Sequence, residues 1–354
     1  MEKKNWWKVL GVVITIYVII AGFLVPLNPG IIRVAPGKAV TGEKLELDVI
    51  GYNTVYATNS KSIRAWLKLD GDHALKADKI QVKSDQELNL EFQIPDFLPV
   101  ESSIKDAVLV VDHPETGLAL LPSAVFIQQD QKNPGRGQQL WIDVVQDLNI
   151  RSGFSFPFRN ILQETIRNTY FHVAIWFAMF VLLIISVVYS IKYLRNPYPD
   201  ADIIASSLVR VGILFGLIGI ATGSLWARGT WGTFWTNDTK LNMTAVALLI
   251  YMAYLVLRQS IPDHEQKARV SAIYNVFAFA AMIPLLFVVP RLNDSLHPGN
   301  GGNPALGGED LDNTMRMVFY PAIIGYTLLG LWISELAIRI KRVKYKLDYD
   351  EDIK

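Results

Sequence analysis

His172-Val-Ala-Ile-Trp-Phe-Ala-Met-Phe-Val-Leu-Leu-Ile-Ile-Ser-Val-Val-Tyr-Ser190 is an apolar run interrupted only by two serines and a tyrosine. A bilayer core of about 30 Å takes about 20 apolar residues in helical conformation, so the stretch reads as a membrane span. Five further runs of the same character lie at 9–26, 206–225, 243–257, 270–289 and 317–338. The run at 243–257 is the shortest and is extended by Leu241, Asn242 and Arg258. Six spans make the chain a multi-pass α-helical membrane protein, and a bundle of six helices is expected.

Charge placement orients the spans. Lys3, Lys4 and Lys8 precede the first, Lys192 and Arg195 follow the second, Arg258, Lys267 and Arg269 lie between the fourth and fifth, and Arg339, Lys341, Arg342, Lys344 and Lys346 follow the last. With six spans all of these fall on one side, while the opposite short loops hold only Arg228, Lys240, Arg291 and Arg316. The positive-inside bias places both termini in the cytoplasm of a cell whose inner membrane holds the protein. The first run, 1–27 with its basic start, has a long core and no small-residue cleavage site, so it reads as an uncleaved anchor. The net charge of +1 excludes a dominant interaction with nucleic acid, which needs a basic excess. Membrane lipid is the expected surrounding. With no cysteine, disulfides, thiolate metal sites and cysteine nucleophiles are excluded.

Between the first two spans lies a polar segment. Short alternating stretches at 31–34, 45–50, 63–69, 88–94, 107–111 and 119–127, punctuated by Pro36-Gly37, Asp70-Gly71, Pro95-Asp96 and Pro114-Glu115, predict an all-β, immunoglobulin-like sandwich over 28–140 on the extracytoplasmic side. The stretch 129–139, containing Asn133-Pro134-Gly135, reads as a loop, and 141–171 as a connector to the membrane. The rest of the membrane domain fills 172–340, and 341–354 is a cytoplasmic tail.

The stretch Trp226-Ala-Arg-Gly-Thr-Trp231-Gly-Thr-Phe-Trp235-Thr-Asn-Asp238 links the third and fourth spans and is expected to be a loop. Tryptophans at a span's end are often no more than an interfacial belt. Here Gly229 and Gly232 permit close approach of a flat partner, the indoles can stack on it, and Arg228 and Asp238 add charge. His172, at the outer end of the second span, and His297, after the fifth, fall on the same side as this stretch. A lone interfacial histidine is more often a hydrogen-bonding group than a ligand, but two can supply both axial ligands of a haem iron. His73, His113 and His264 read as surface residues.

Trp231-Gly232-Thr-Phe-Trp235-Thr-Asn-Asp238 resembles the WGxxWxWD motif of haem-handling proteins of cytochrome c biogenesis. Gly223-Ser224-Leu225-Trp226 resembles the lead-in to that motif, and Arg167-Asn-Thr-Tyr170-Phe-His172-Val173 resembles the RxMYxHV stretch before the second span. Pro284, thirteen residues before His297, repeats a further landmark. Together these resemble cytochrome c maturation protein C, or haem exporter protein C, over most of 165–340. The resemblance implies a six-helix bundle, haem b ligated by His172 and His297, and a loop surface of Trp226, Trp231, Gly232, Trp235 and Asp238 against it. It implies a carrier and no enzyme, working with a haem chaperone and with ABC transporter subunits. Arg228 is the expected partner of a propionate, ahead of Arg291 and Arg167.

The chain departs from the pattern at Asn237, where the motif has a tryptophan, at Phe234, which replaces another, and in lacking an aromatic pair before His297. The segment 28–165 replaces a short loop of the family; it is expected to dock the chaperone or the apocytochrome. Two other readings follow from the same residues. A synthetase that joins haem to apocytochrome would share the tryptophan stretch but usually has histidines deep in its spans, which this chain lacks. A receptor whose β-domain binds an extracellular ligand would need an effector that the short tail does not provide.

Overall fold

A computed structural model describes residues 5–151, 154–160, 162–293, 295–297, 311 and 313–351, with side chains described through residue 347. The chain forms two compact units, Val25–Glu164 and Met1–Leu24 with Thr165–Lys354. In chain order the elements are helix α1 (Trp6–Leu24), strands β1 (Gly30–Ala35), β2 (Lys38–Val40), β3 (Lys44–Tyr52), β4 (Arg64–Lys68), β5 (Ala74–Lys76), β6 (Lys79–Val82), β7 (Glu87–Gln93), β8 (Ile104–His113) and β9 (Gly117–Gln128). Helices α2 (Pro134–Leu140), α3 (His172–Arg195), α4 (Pro199–Trp231), α5 (Thr239–Ser260), α6 (His264–Ile283) and α7 (Asn313–Glu351) follow.

In the β-rich unit one sheet has the order β1-β3-β7-β6 and the other β2-β9-β8-β4-β5. All pairings are antiparallel except β2 with β9. Strands β3 and β7 alternate buried and exposed residues, the pattern of a sheet with one wet face. Their inward Leu47, Val49, Leu90 and Phe92 share a core with Leu67, Leu109, Val111 and Ile127 of the other sheet. Their outward Lys44, Glu46 and Glu91 form an ion-pair ladder with Lys79 of β6.

Strands β2, β5 and β6 were absent from the sequence reading because three- and four-residue strands carry too few alternations to register. The expected loop at 129–139 contains helix α2, started by Asn133, whose side chain accepts from Arg136 N, and by Pro134 in the first turn. The first part of the expected connector, residues 141–149, packs on the β-rich unit. Trp141 is fully buried in the β core with its indole donating to Phe97 O at 3.1 Å, and Asn149 donates to Asp112. Asp112, itself 0% exposed, also holds Arg64, whose guanidinium reaches the carbonyls of Gln146 and Asp147. His113 is not a surface residue: it is buried, Nε2 donates to Thr58 O at 2.7 Å, and Nδ1 accepts from the N–H groups of Glu115 and Thr116.

Among the described residues, six helices, in the other unit, are long and apolar enough to cross a membrane. Helix α3 begins at the expected residue. Helix α4 runs on to Trp231, so the first part of the expected loop 226–238 is helical, and it stops at Gly232, whose φ of 80° closes the end at no steric cost. Only 232–238 connects α4 to α5. Helix α5 spans Thr239–Ser260 and is capped by Asp238. Helix α6 continues through Pro284 as a π turn, Pro284–Val288, and a 3-10 turn, Val289–Arg291. Ile175, Met179, Leu182, Leu208, Val211 and Leu248 lie in one core cluster of this unit. At the end where α4 begins, Asp202 pairs with Arg258 and Asp200 with Arg342 through two hydrogen bonds each.

Candidate functional site

At the opposite end of the bundle, where α3 and α5 begin and α4 ends, His172 is the first residue of α3. Its Nδ1 donates to the carbonyl of Gly219 on α4 at 2.9 Å. A carbonyl can only accept, so the proton sits on Nδ1 and the lone pair is left on Nε2. Gly219 and Gly223 make this approach possible. A Cβ on Gly223 would come within 2.6 Å of the His172 Cε1, and one on Gly219 within 2.7 Å of the Trp176 ring. The imidazole is thus packed against α4 backbone, with Trp176 edge-on to it at 6.2 Å between centroids.

His297 faces it. The two imidazole centroids are 6.3 Å apart, and His297 lies 6.0 Å from the Trp226 ring. Trp226 meets Trp231 edge-to-face at 4.9 Å. Both histidines and Trp226, Trp231 and Trp235 line a cavity of about 220 Å³. Phe177, Phe180, Leu286 and Phe287 give it an apolar lining, to which Lys240 and Arg291 add two cations.

Asp238 explains how His297 is held there. Its carboxylate caps α5 by accepting from the N–H groups of Lys240 and Leu241 at 2.9 and 3.2 Å. It also accepts from Ser295 Oγ at 3.1 Å and Leu296 N at 2.8 Å, while Ser295 Oγ accepts from His297 N. One carboxylate therefore joins the tryptophan segment to the segment carrying the second histidine. Burial alone would raise its pKa, but the donors of Ser295, Leu296, Leu241 and Lys240 together hold it below the usual carboxylate range.

Arg228 donates to the carbonyl of Gly232 and lies 5.7 Å from the ring of Phe234, which lines the cavity. Arg167 donates to Gly22 O at 3.0 Å. Gly232 ends α4 in open space. Trp235 donates its indole N–H to Asn242 Oδ1 at 3.3 Å, and Asn242 in turn donates to Asn237 Oδ1 at 2.8 Å. The asparagine in the position of the motif tryptophan thus forms a polar brace for the tryptophan two residues before it. Sequence reasoning missed Lys240, Trp176, Gly219, Asn242 and Ser295. Trp176 was legible in principle, one helical turn after His172 on the same face.

The fold and site define a polytopic membrane protein with an imidazole- and indole-lined cavity at one end of its bundle. The family described as Heme exporter protein C matches residues 145–350. That match covers more than half of the chain, and the protein belongs to this family. Heme exporter protein C of Bradyrhizobium diazoefficiens is 28% identical over 176 residues, 49% of this chain and 66% of that protein. Its namesake in Escherichia coli K12 is 26% identical over 195 residues, 53% and 75% respectively. That of Paracoccus denitrificans is 24% identical over 179 residues, 51% and 74%. The chain spans just under two thirds of the first and about three quarters of the others.

Proposed function

We propose that the protein binds haem b at the cavity, with His172 and His297 as axial ligands, and hands it to a haem chaperone in cytochrome c maturation, as a carrier with no catalytic step of its own. The observation that carries this reading is the separation of the imidazoles. With metal–imidazole bonds of about 2 Å and roughly 1 Å from ring nitrogen to ring centre, two opposed ligands have centroids about 6 Å apart, and the separation here is 6.3 Å. The Nδ1–H donation to Gly219 supports it, since a ligating histidine commonly anchors its other nitrogen on a carbonyl.

Haem supplies an iron with two open axial positions, a flat apolar face and two carboxylates. The tautomer of His172 leaves the Nε2 lone pair available for the first. Trp226, Trp231, Phe177 and Phe287 offer surfaces for the second. Lys240 and Arg291 stand on the cavity wall and are better placed than Arg228 to neutralise the carboxylates. The cavity, about 220 Å³, is smaller than the roughly 300 Å³ at which pockets begin to enclose whole ligands. An edge left outside suits cargo that must be passed on.

The distribution of basic residues supports an orientation with the cavity and the β-rich unit on the extracytoplasmic face of the inner membrane and both termini in the cytoplasm. The strand orders support an immunoglobulin-like sandwich, corresponding to A-B-E-D and A′-G-F-C-C′. The relatives are named for haem export, and work beside ABC transporter subunits is part of the same proposal. The test is the absorption spectrum of detergent-purified full-length protein, oxidised and reduced. A six-coordinate low-spin haem spectrum that vanishes in the His172→Ala, His297→Ala double variant is expected. Haem-free protein after haem supplementation, or an unchanged spectrum in the double variant, overturns the assignment.

A further inference from the structure

Asp202, Ser206 and Arg210 are spaced four apart on α4 and therefore share one face, at the end of the bundle away from the imidazoles. The first two are engaged. Asp202 accepts both terminal nitrogens of Arg258, and Ser206 Oγ accepts from Lys341 Nζ of α7 at 2.7 Å. Arg210, the third, is exposed and makes no hydrogen bond or ion pair among the described residues. Lys341 has no carboxylate in salt-bridge range among them either, and its charged neighbours are Arg210, Arg258 and Asp202. Three cations therefore share one carboxylate, which Arg258 already holds by both oxygens.

Arg210 has Leu208 and Val209 before it and Val211 and Ile213 after it, within a helix long and apolar enough to cross a membrane. An exposed side chain there faces lipid. An arginine so placed lays its stem along the apolar surface and carries its head towards the headgroup layer, and an unpaired charge at that depth is costly. The anion of that layer is phosphate. A guanidinium fork matches two phosphate oxygens and an ammonium one turn lower adds a point charge.

We infer that Arg210 and Lys341 form a binding site for the phosphate of a phospholipid headgroup, in the leaflet at this end of the bundle. The site is separate from the haem cavity, because α4 rises roughly 13 Å between Arg210 and Gly219. It makes the protein a lipid-clamped bundle whose α4 and α7 ends are joined through a bound lipid.

Native mass spectrometry of the detergent-purified full-length protein tests this, with phosphatidylglycerol and inorganic phosphate as separate probes. Wild type is expected to keep one phosphatidylglycerol. Arg210→Gln and Lys341→Gln should each lower retention about fivefold and the double variant roughly thirtyfold. Arg210→Lys should restore most of the retention, and Lys344→Gln, an exposed cation further along α7, should leave it unchanged. The haem spectrum of every variant should match wild type, which also reports that the bundle is folded. Equal lipid retention in wild type and the double variant overturns the inference, as does binding of inorganic phosphate by a wild type that holds no lipid.

Discussion

Replacing Asp238 tests the architecture of the site without touching either histidine. The carboxylate, 5% exposed, accepts four hydrogen bonds, two that cap α5 and two that fix the 295–296 segment. Losing the cap costs about 1 kcal/mol. The bonds to Ser295 Oγ and Leu296 N are made to a charged acceptor, each of about 1.5–3 kcal/mol. Leu296 is 67% exposed, so water replaces part of what is lost, and about 3 kcal/mol is a reasonable sum for release of the segment. Because His297 follows directly, haem affinity in Asp238→Ala should fall on the order of a hundredfold, 1.4 kcal/mol being a factor of ten. Asp238→Asn separates the two functions. Its amide oxygen still caps α5, so melting should change little, yet it cannot accept at both oxygens and the tether weakens. Haem titration followed by absorbance measures both variants. A wild-type affinity in Asp238→Asn together with normal melting refutes the tether. The pH dependence has a fixed sign. A carboxyl held below its ordinary value stabilises fully above about pH 4 and loses that contribution as pH falls through its folded-state pKa. The difference in melting temperature between wild type and Asp238→Ala should therefore stay constant from about pH 8 to 5 and close below about pH 4.

Gly223→Ala should lower haem retention at least tenfold, about 1.4 kcal/mol, because its methyl meets His172 Cε1 at 2.6 Å, while helix propensity rises; an unchanged low-spin spectrum would show that the imidazole has room to move. His113→Ala strands the Thr58 carbonyl and two backbone N–H groups, costing about 3 kcal/mol. Limited proteolysis of the full-length chain should then cut within 25–164 while the haem spectrum stays intact. Arg258→Gln leaves Asp202 unpaired in a pair whose side chains are 13% and 16% exposed, a loss of about 3–5 kcal/mol in thermal or denaturant unfolding. Adding Asp202→Asn should recover most of it, and no recovery would mean that the charge is not the cause.

The parts legible in the sequence are those whose signal is long or local. Twenty apolar residues leave no other conformation in a bilayer, so every span was found, with ends shifted where polar residues continue the helix, as from Trp226 to Trp231. The longer strands alternate and were found. Strands β2, β5 and β6 exist because of their neighbours and leave no period of their own. His113 was read as a surface residue because nothing in Asp112-His113-Pro114 announces that its ring will reach a carbonyl at Thr58. In the site, the histidines and tryptophans carried a motif. Lys240 and Arg291 did not, since their place on the cavity wall depends on how α5 and the end of α6 pack. Asp238 stood in the motif, but its bonds to 295–296 join residues far apart in sequence, and only the fold reveals them.

The two histidines are not equivalent, and the difference bears on how a carrier releases its cargo. His172 is fixed by the first turn of α3, by the Gly219 carbonyl, by the close approach of Gly223 and by Trp176. His297 follows a helix and a short turn and depends on the Ser295 and Leu296 bonds to Asp238. On the proposed ligation, a chaperone that displaces one ligand would meet the lower barrier at His297, which is positioned through the Asp238 tether, whereas moving His172 requires α3 and α4 to separate. It follows that His297→Ala should retain haem on the remaining imidazole with affinity lowered at least about a hundredfold, no less than in Asp238→Ala, whereas His172→Ala should lose at least about a thousandfold. Added free imidazole should restore the six-coordinate spectrum in His297→Ala, where the vacated place opens at the end of the bundle, and not in His172→Ala, where Gly223 and Trp176 close around it. Equal losses in the two variants, or rescue of His172→Ala alone, would show that the helix-held and the tethered histidine have been assigned the wrong way round.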